Sequence, residues 1–222
     1  MKTKTLLMSL LLLTISISGC KFGGFDRGLA GSGNRKSEKR ELKPFKSIDT
    51  SGAYTISVTC QKPASVEIEA DDNILPLIKT EVRDGVLFVT NTQEYHSSKS
   101  PVLSIGMTDL DKLADHGAGE VTIAGVNNNQ LSLASDGAGS IVASGNTKFI
   151  KIGSNGAGSV DAGNLHAEKA QVTVSGAASI DVYATEQLDV DISGVGNVTY
   201  GGNPKTVNKN ISGVGNISPK GK

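Results

Sequence analysis

A glycine triplet that returns about every nineteen residues constrains this chain more than any other feature. Gly117-Ala118-Gly119 is followed by Gly137-Ala138-Gly139, Gly156-Ala157-Gly158, Gly176-Ala177-Ala178, Gly194-Val195-Gly196 and Gly213-Val214-Gly215, at steps of 20, 19, 20, 18 and 19 residues. Ser51-Gly52-Ala53-Tyr54 is a weaker relative upstream. Each copy also alternates with period two. One runs Leu131, Leu133, Ser135, Gly137, Gly139, Ile141, Ala143, and the next Ile150, Ile152, Ser154, Gly156, Gly158, Val160, Ala162, with mostly polar residues between. Such alternation marks strands with one apolar face. A unit this short cannot bury that face alone, whereas copies stacked in register bury a continuous core. The glycines then belong where the chain bends inward and any side chain would crowd the stack.

The pattern predicts an all-β chain built as a parallel β-helix, or solenoid, with one rung of about 19 residues per repeat. Right-handed coiling is the default for parallel connections. Helical repeat families have longer periods and would lose the period-two alternation. Residues 44–110 are less regular. Ile48, Ser51-Gly52, Ile56 and Val58 mimic the later rungs, Val66-Glu67-Ile68-Glu69 alternates, and Val82 to Val89 reads as a hairpin turning at Asp84-Gly85. A mixed antiparallel N-terminal cap grading into the solenoid is expected. At the other end Lys209 replaces the aliphatic residue found at Leu133, Ile152, Val172 and Val190, and Pro219, Lys220 and Lys222 follow. Proline and a charged stem both oppose addition of another strand.

The N-terminus reads as an address. Lys2 and Lys4 precede an apolar stretch from Leu6 to Ile17, too short to span a bilayer comfortably, so residues 1–19 form a signal peptide. Residues 20–43 are rich in Gly, Ser, Asn, Lys and Arg and predict a flexible tether spanning roughly 25–30 Å. The folded domain is then 44–222. The 222 residues carry 22 Lys plus Arg against 22 Asp plus Glu, so no strong field selects a polyanion and nucleic acid is not an expected partner.

Two resemblances extend this reading. Ile17-Ser18-Gly19-Cys20 resembles the lipobox of bacterial lipoproteins, which implies lipidation of Cys20 and a membrane as partner through several acyl chains. One chain binds a membrane marginally, whereas several hold durably. Lys21, not Asp, follows the cysteine, which implies sorting to the outer membrane, with a periplasm-facing leaflet left open. Phe45-Lys46-Ser47-Ile48-Asp49-Thr50-Ser51-Gly52-Ala53-Tyr54, Gly85-Val86-Leu87-Phe88-Val89, Ile105-Gly106-Met107-Thr108-Asp109-Leu110 and the Gly-Ala-Gly repeats resemble the head GIN domain family over about residues 45–218. That resemblance implies a right-handed β-helix on a Gram-negative cell-envelope lipoprotein, with adhesion to a glycan or protein ligand at the cell surface. It carries no catalytic or ligand residues over to this chain.

No catalytic, cofactor or metal site emerges from the residues. Gly153-Ser154-Asn155-Gly156-Ala157-Gly158 lacks the Lys and following helix of a phosphate loop. The repeat period is near 19, not the nine of calcium-binding repeats. His96, His116 and His166 share no metal-ligand spacing. Cys60, flanked by strand formers, reads as an inert apolar residue. Asp161 and Asp181 occupy equivalent places in adjacent rungs. They are the best candidates for the alternative reading, a glycan-acting β-helix lyase or hydrolase. The leading expectation is a non-catalytic binding or structural module that makes multivalent polar contacts along ladders of Ser, Thr, Asn and Asp.

Overall fold

The computed structural model describes residues 28–221. Residues 1–19, read above as a signal peptide, and Cys20 lie outside the described residues. The chain forms β1 (Leu29–Ala30), β2 (Arg35–Arg40), β3 (Ser47–Thr50), β4 (Thr55–Thr59), β5 (Ser65–Asp71), β6 (Ile78–Arg83), β7 (Val86–Asn91), β8 (Tyr95–His96), β9 (Val102–Gly106) and β10 (Lys112–Asp115). Four long strands follow: β11 (Glu120–Ser135), β12 (Ser140–Ser154), β13 (Ser159–Val174) and β14 (Ala177–Ile192). The last are β15 (Val195–Gly201), β16 (Thr206–Ile211) and β17 (Val214–Pro219).

Each long strand is one bent rung. The front half of β11 pairs with β4, Val121 opposite Ile56, and its back half with β10, Leu133 opposite Leu113. A strand can serve two parallel neighbours this way only by folding across the end of the core, and the ladder register shifts between Ile123 and Val126 where it does so. β12, β13 and β14 repeat the path in parallel register. β15 and β16 split the next rung between them, and β17 adds to β15. The repeat therefore builds the parallel solenoid expected from its period.

Two facing walls carry the core. One stacks Leu103, Ile56, Val121, Ile141, Val160, Ile180, Val198 and Ile217. The other stacks Leu87, Ile48, Leu113, Leu133, Ile152, Val172 and Val190. All of these are buried. Burying one such side chain is worth about 1.5–3 kcal/mol, so the walls supply the main driving force. The second wall ends in Lys209. Its ammonium donates to the Ile217 carbonyl at 2.9 Å, so the side chain bridges from the end of one wall to the end of the other.

The N-terminal cap is mixed, as its irregular pattern predicts. β6 and β7 form an antiparallel hairpin whose turn residues Asp84 and Gly85 have φ of 50° and 75°. β5 runs antiparallel to β9, which in turn runs parallel to β4. Tyr54 is buried at the foot of the solenoid with its hydroxyl bonded to Asn91.

The structure differs from the sequence reading within residues 20–43. Residues 35–40, read as tether, form β2 and run antiparallel to β5, Arg35 opposite Asp71 and Arg40 opposite Val66. Arg35 fixes the pairing by bonding both the Glu69 carboxylate at 3.1 Å and the Glu69 carbonyl at 3.0 Å. β1 pairs with β8, and Ser32 and Asn73 bond the segment between the strands. The physical reason is that Arg-Lys-Ser-Glu-Lys-Arg buries almost nothing. It is a strand because it covers the free edge of β5, and apolar periodicity cannot reveal a strand held by its backbone.

Candidate binding face

The face begins with the corner that the triplets form. Within Gly-Ala-Gly the parity of the strand continues, so the two glycines point inward and the middle residue outward. A Cβ on Gly137, Gly156, Gly176, Gly194 or Gly213 would overlap the carbonyl oxygen of the glycine one rung below. The rungs can approach because this column has no side chains. The middle residue of each triplet bonds through its N–H to the same carbonyl: Ala138 to Gly117, Ala157 to Gly137, Ala177 to Gly156, Val195 to Gly176 and Val214 to Gly194, at 2.8–2.9 Å.

The outward positions then form three parallel columns at the strand spacing of roughly 4.8 Å. The central one is aliphatic: Ala53, Ala118, Ala138, Ala157, Ala177, Val195 and Val214, all exposed. On one side stand His116, Asp136, Asn155, Ser175, Ser193 and Ser212, and on the other Glu120, Ser140, Ser159, Ser179, Asn197 and Asn216. The flanks are partly linked along the stack. Asn155 donates to Asp136 at 2.7 Å, Ser159 to Ser140 at 3.3 Å, and the His116 ring lies 3.4 Å from Asp136 and 3.6 Å from Asp49. A shallow groove of about 1050 Å³ runs over the central and second polar columns from Tyr54 to Asn216. Its floor is methyl groups and glycine backbone, and its border is hydroxyls and amides together with the Glu120 carboxylate.

Beneath the corner runs an inward column that the sequence reading did not single out. Thr50, Asp115, Ser135 and Ser154 are stacked in register and buried, and Thr50 Oγ1, Asp115 Oδ2, Ser135 Oγ and Ser154 Oγ have no hydrogen-bond partner. In later rungs the column becomes Val174 and Ile192. The signal was present in the sequence, since Ser135 and Ser154 sit in phase with the apolar rows. These side chains press against the second glycine of the triplet: a Cβ on Gly139 would come within 2.7 Å of Asp115 Oδ2, and one on Gly158 within 2.9 Å of Ser135 Oγ. Burial pushes the Asp115 carboxyl above the usual carboxylate range. The Gly117 N–H, which it accepts at 3.0 Å, and the nearby His116 pull it partly back.

That shift has a testable sign. A carboxyl whose pKa is higher in the folded state binds more protons there than in the unfolded chain, so its contribution to stability improves as pH falls through the window above the ordinary value. At neutral pH the ionised, half-partnered carboxylate is a cost. Asp115→Asn keeps the acceptor for Gly117 and is neutral at every pH. We expect it to be more stable than wild type at pH 7 by about 1 kcal/mol or more, with the advantage shrinking on acidification. Thermal melts at pH 7 and pH 4 check this. An advantage that is absent at pH 7, or that grows in acid, rules the account out.

The other candidate residues lie apart. Asp161 and Asp181 are directly opposite each other, with Val142, Thr199 and Ser218 completing their column. Asp161 accepts the Gly163 N–H at 3.0 Å, and Asp181 is paired with Lys220 from the C-terminal segment. Each carboxylate has one oxygen engaged within the chain, and Asp181 Oδ1 is buried without a hydrogen-bond partner. His166 stacks on Tyr183 with ring centres 4.5 Å apart, and His96 sits in β8, so the three histidines remain separate. Cys60 is buried, and burial pushes its thiol up to about 11, which keeps it protonated and unreactive at neutral pH.

Comparison with known proteins agrees with this architecture. The crystal structure of a "putative adhesin" from Bacteroides fragilis superposes with a TM-score of 0.71 at 24% identity, covering 86% of this chain and all of that one. A "putative lipid binding protein" from Parabacteroides distasonis superposes with a TM-score of 0.55 at 21% identity, covering 87% of this chain and 99% of that one. At these identities the likeness is one of fold. No curated protein matches the sequence. A family model described as "Putative auto-transporter adhesin, head GIN domain" matches residues 44–204, and β16 and β17 continue the same register beyond that span. With most of its folded part matched by that model, the chain belongs to the head GIN domain family.

Proposed function

We propose that this protein is the ligand-binding head of a lipid-anchored envelope protein, and that its three-column face holds an extended surface glycan. The observation that carries this is the continuity of the face: an exposed aliphatic column along the solenoid, flanked on both sides by columns that begin with His116, Asp136 and Glu120 and continue as hydroxyls and amides from Asn155 and Ser140 onward. A sugar ring presents a C–H face and a rim of hydroxyls. The first suits methyl groups, the second suits Ser and Asn side chains, and repetition turns weak contacts into avidity. Membership of a family described as adhesins supports a binding role and a location at the cell surface or envelope. The rival glycan-cleaving reading calls for free, convergent carboxylates. Asp161 and Asp181 form the next outward column beside this face, outside its groove, and each is already contacted within the chain, by Gly163 and Lys220.

Ala157 occupies the middle of the aliphatic column and is exposed, so a long charged side chain there obstructs the face without entering the core. Ala157→Lys is expected to weaken binding to a panel of immobilised linear glycans at least tenfold. Gln171→Lys, on a solvent-facing position elsewhere where the neighbouring rung carries Lys151, should leave it unchanged. Equal binding by Ala157→Lys and wild type would remove the face from the mechanism. Glycan turnover by the wild type, lost in Asp161→Asn, would instead establish the enzyme.

A further inference from the structure

Among the described residues, β16 and β17 each leave one edge without a neighbouring strand, and the two edges are not alike. In a parallel ladder, alternate residues turn their backbone groups to alternate sides. In β17 the Val214 N–H reaches the Gly194 carbonyl and the Lys220 N–H the Tyr200 carbonyl, at 2.9 and 2.8 Å. Gly215, Ile217 and Pro219 therefore turn outward. That edge is obstructed, because Pro219 has no N–H and the Ile217 carbonyl is already taken by Lys209 Nζ at 2.9 Å. In β16 the Ser212 N–H reaches the Ile192 carbonyl at 2.9 Å, so Asn208 and Asn210 face β14. Val207, Lys209 and Ile211 turn their N–H and C=O groups outward, and among the described residues β16 pairs only with β14.

We propose that the β16 edge receives an extended acidic peptide segment of a partner protein. Alternating N–H and C=O groups at strand spacing are the complement of a polypeptide backbone, the recognition mode in which a peptide adds a strand to a sheet. The side chains say which peptide. Ile211 is 43% exposed at one end of the edge, and Val207 is half-buried at the other. Between them Lys209 donates to the Ile217 carbonyl and lies 5.2 Å from the centre of the Tyr200 ring, both neutral groups, with no acidic partner among the described residues. The neighbouring lysines are matched, Lys205 by Glu186 at 3.5 Å and Lys220 by Asp181. Lys209, expected from the sequence to oppose a further strand, opposes one that leaves its charge unmatched, whereas a partner strand with a carboxylate opposite Lys209 and aliphatic residues opposite Val207 and Ile211 completes the rung. Self-pairing of two copies is disfavoured in the register centred on the outward residues: an antiparallel pair of β16 strands with the two-fold at Lys209 sets Lys209 against Lys209, and like charges directly opposite repel. This site is separate from the glycan face and does not depend on it.

The test uses a labelled seven-residue peptide in which valine, aspartate and valine alternate with threonine, titrated with the full chain and followed by fluorescence anisotropy. Wild type is expected to bind saturably. Ile211→Pro removes an outward N–H without taking a bond from the β14 ladder, and should weaken binding at least tenfold. Lys209→Glu should lose the aspartate peptide and gain one carrying lysine in its place. Ala157→Lys should bind as wild type does. No saturable binding, insensitivity to Ile211→Pro, or an unchanged preference in Lys209→Glu overturns the proposal. So does sedimentation showing that the chain dimerises through this edge in the absence of peptide.

Discussion

Gly156→Val should unfold this protein or come close to it, whereas Gly153→Val, three residues away, should stabilise it. The two glycines share a sequence neighbourhood and differ only in what a side chain would meet. At Gly156 a Cβ falls on the Gly137 carbonyl oxygen and against Asp136 backbone, neither of which can rotate away. The rung must lift, and it takes with it the bonds from Ala157 to Gly137 at 2.9 Å and from Ser159 to Gly139 at 3.1 Å. Overpacking costs up to about 3 kcal/mol and each lost bond about 1, so a loss of about 4 kcal/mol or more is expected against a typical total of roughly 5–15. At Gly153 a Cβ meets nothing within 4 Å, and the position lies on the outer side of β12 between Ala134 and Thr173. A β-branched residue there adds up to about 1 kcal/mol through strand preference. The chain has no Trp, so urea unfolding is best followed by circular dichroism. Equal midpoints for the two variants would show that the glycine column does not set the rung spacing.

The second large effect is expected at Cys20. Cys20→Ser removes the thiol on which lipidation depends, and we expect the protein to pass from the detergent-rich phase to the aqueous phase on phase separation, with loss of radiolabelled fatty acid. On the proposed lipoprotein reading the change should be near complete, since several acyl chains would be lost together and a single chain would hold only marginally. Retention of both label and membrane association by Cys20→Ser would end the lipoprotein reading. The structure adds a consequence. The described residues begin at Gly28, eight residue steps from Cys20. At about 3.4 Å per residue eight steps span no more than about 27 Å. With Cys20 lipidated, as we propose, Gly28 would lie within that reach of the membrane.

Periodicity alone was enough for the solenoid. The triplet spacing, the alternating rows and the Asp84-Gly85 turn determine the rung length, the inward face and the hairpin, because each is a local pattern that repeats against itself. The same alternation leads to the expectation of polar ladders of Ser, Thr, Asn and Asp on one outward face. Three features were decided only in three dimensions. β2 is a strand because β5 has a free edge beside it, and its sequence is polar on both sides. The Asp115, Ser135 and Ser154 column is buried because parity carries these residues inward behind glycines, although their side chains favour water. The two edges of the last rung differ because Lys209 reaches across the stack to Ile217, eight residues along the chain but on the opposite wall. A one-dimensional pattern reports which face a residue occupies. Which backbone groups remain unpaired depends on what has already docked beside them, and that is known only once the strands have been placed.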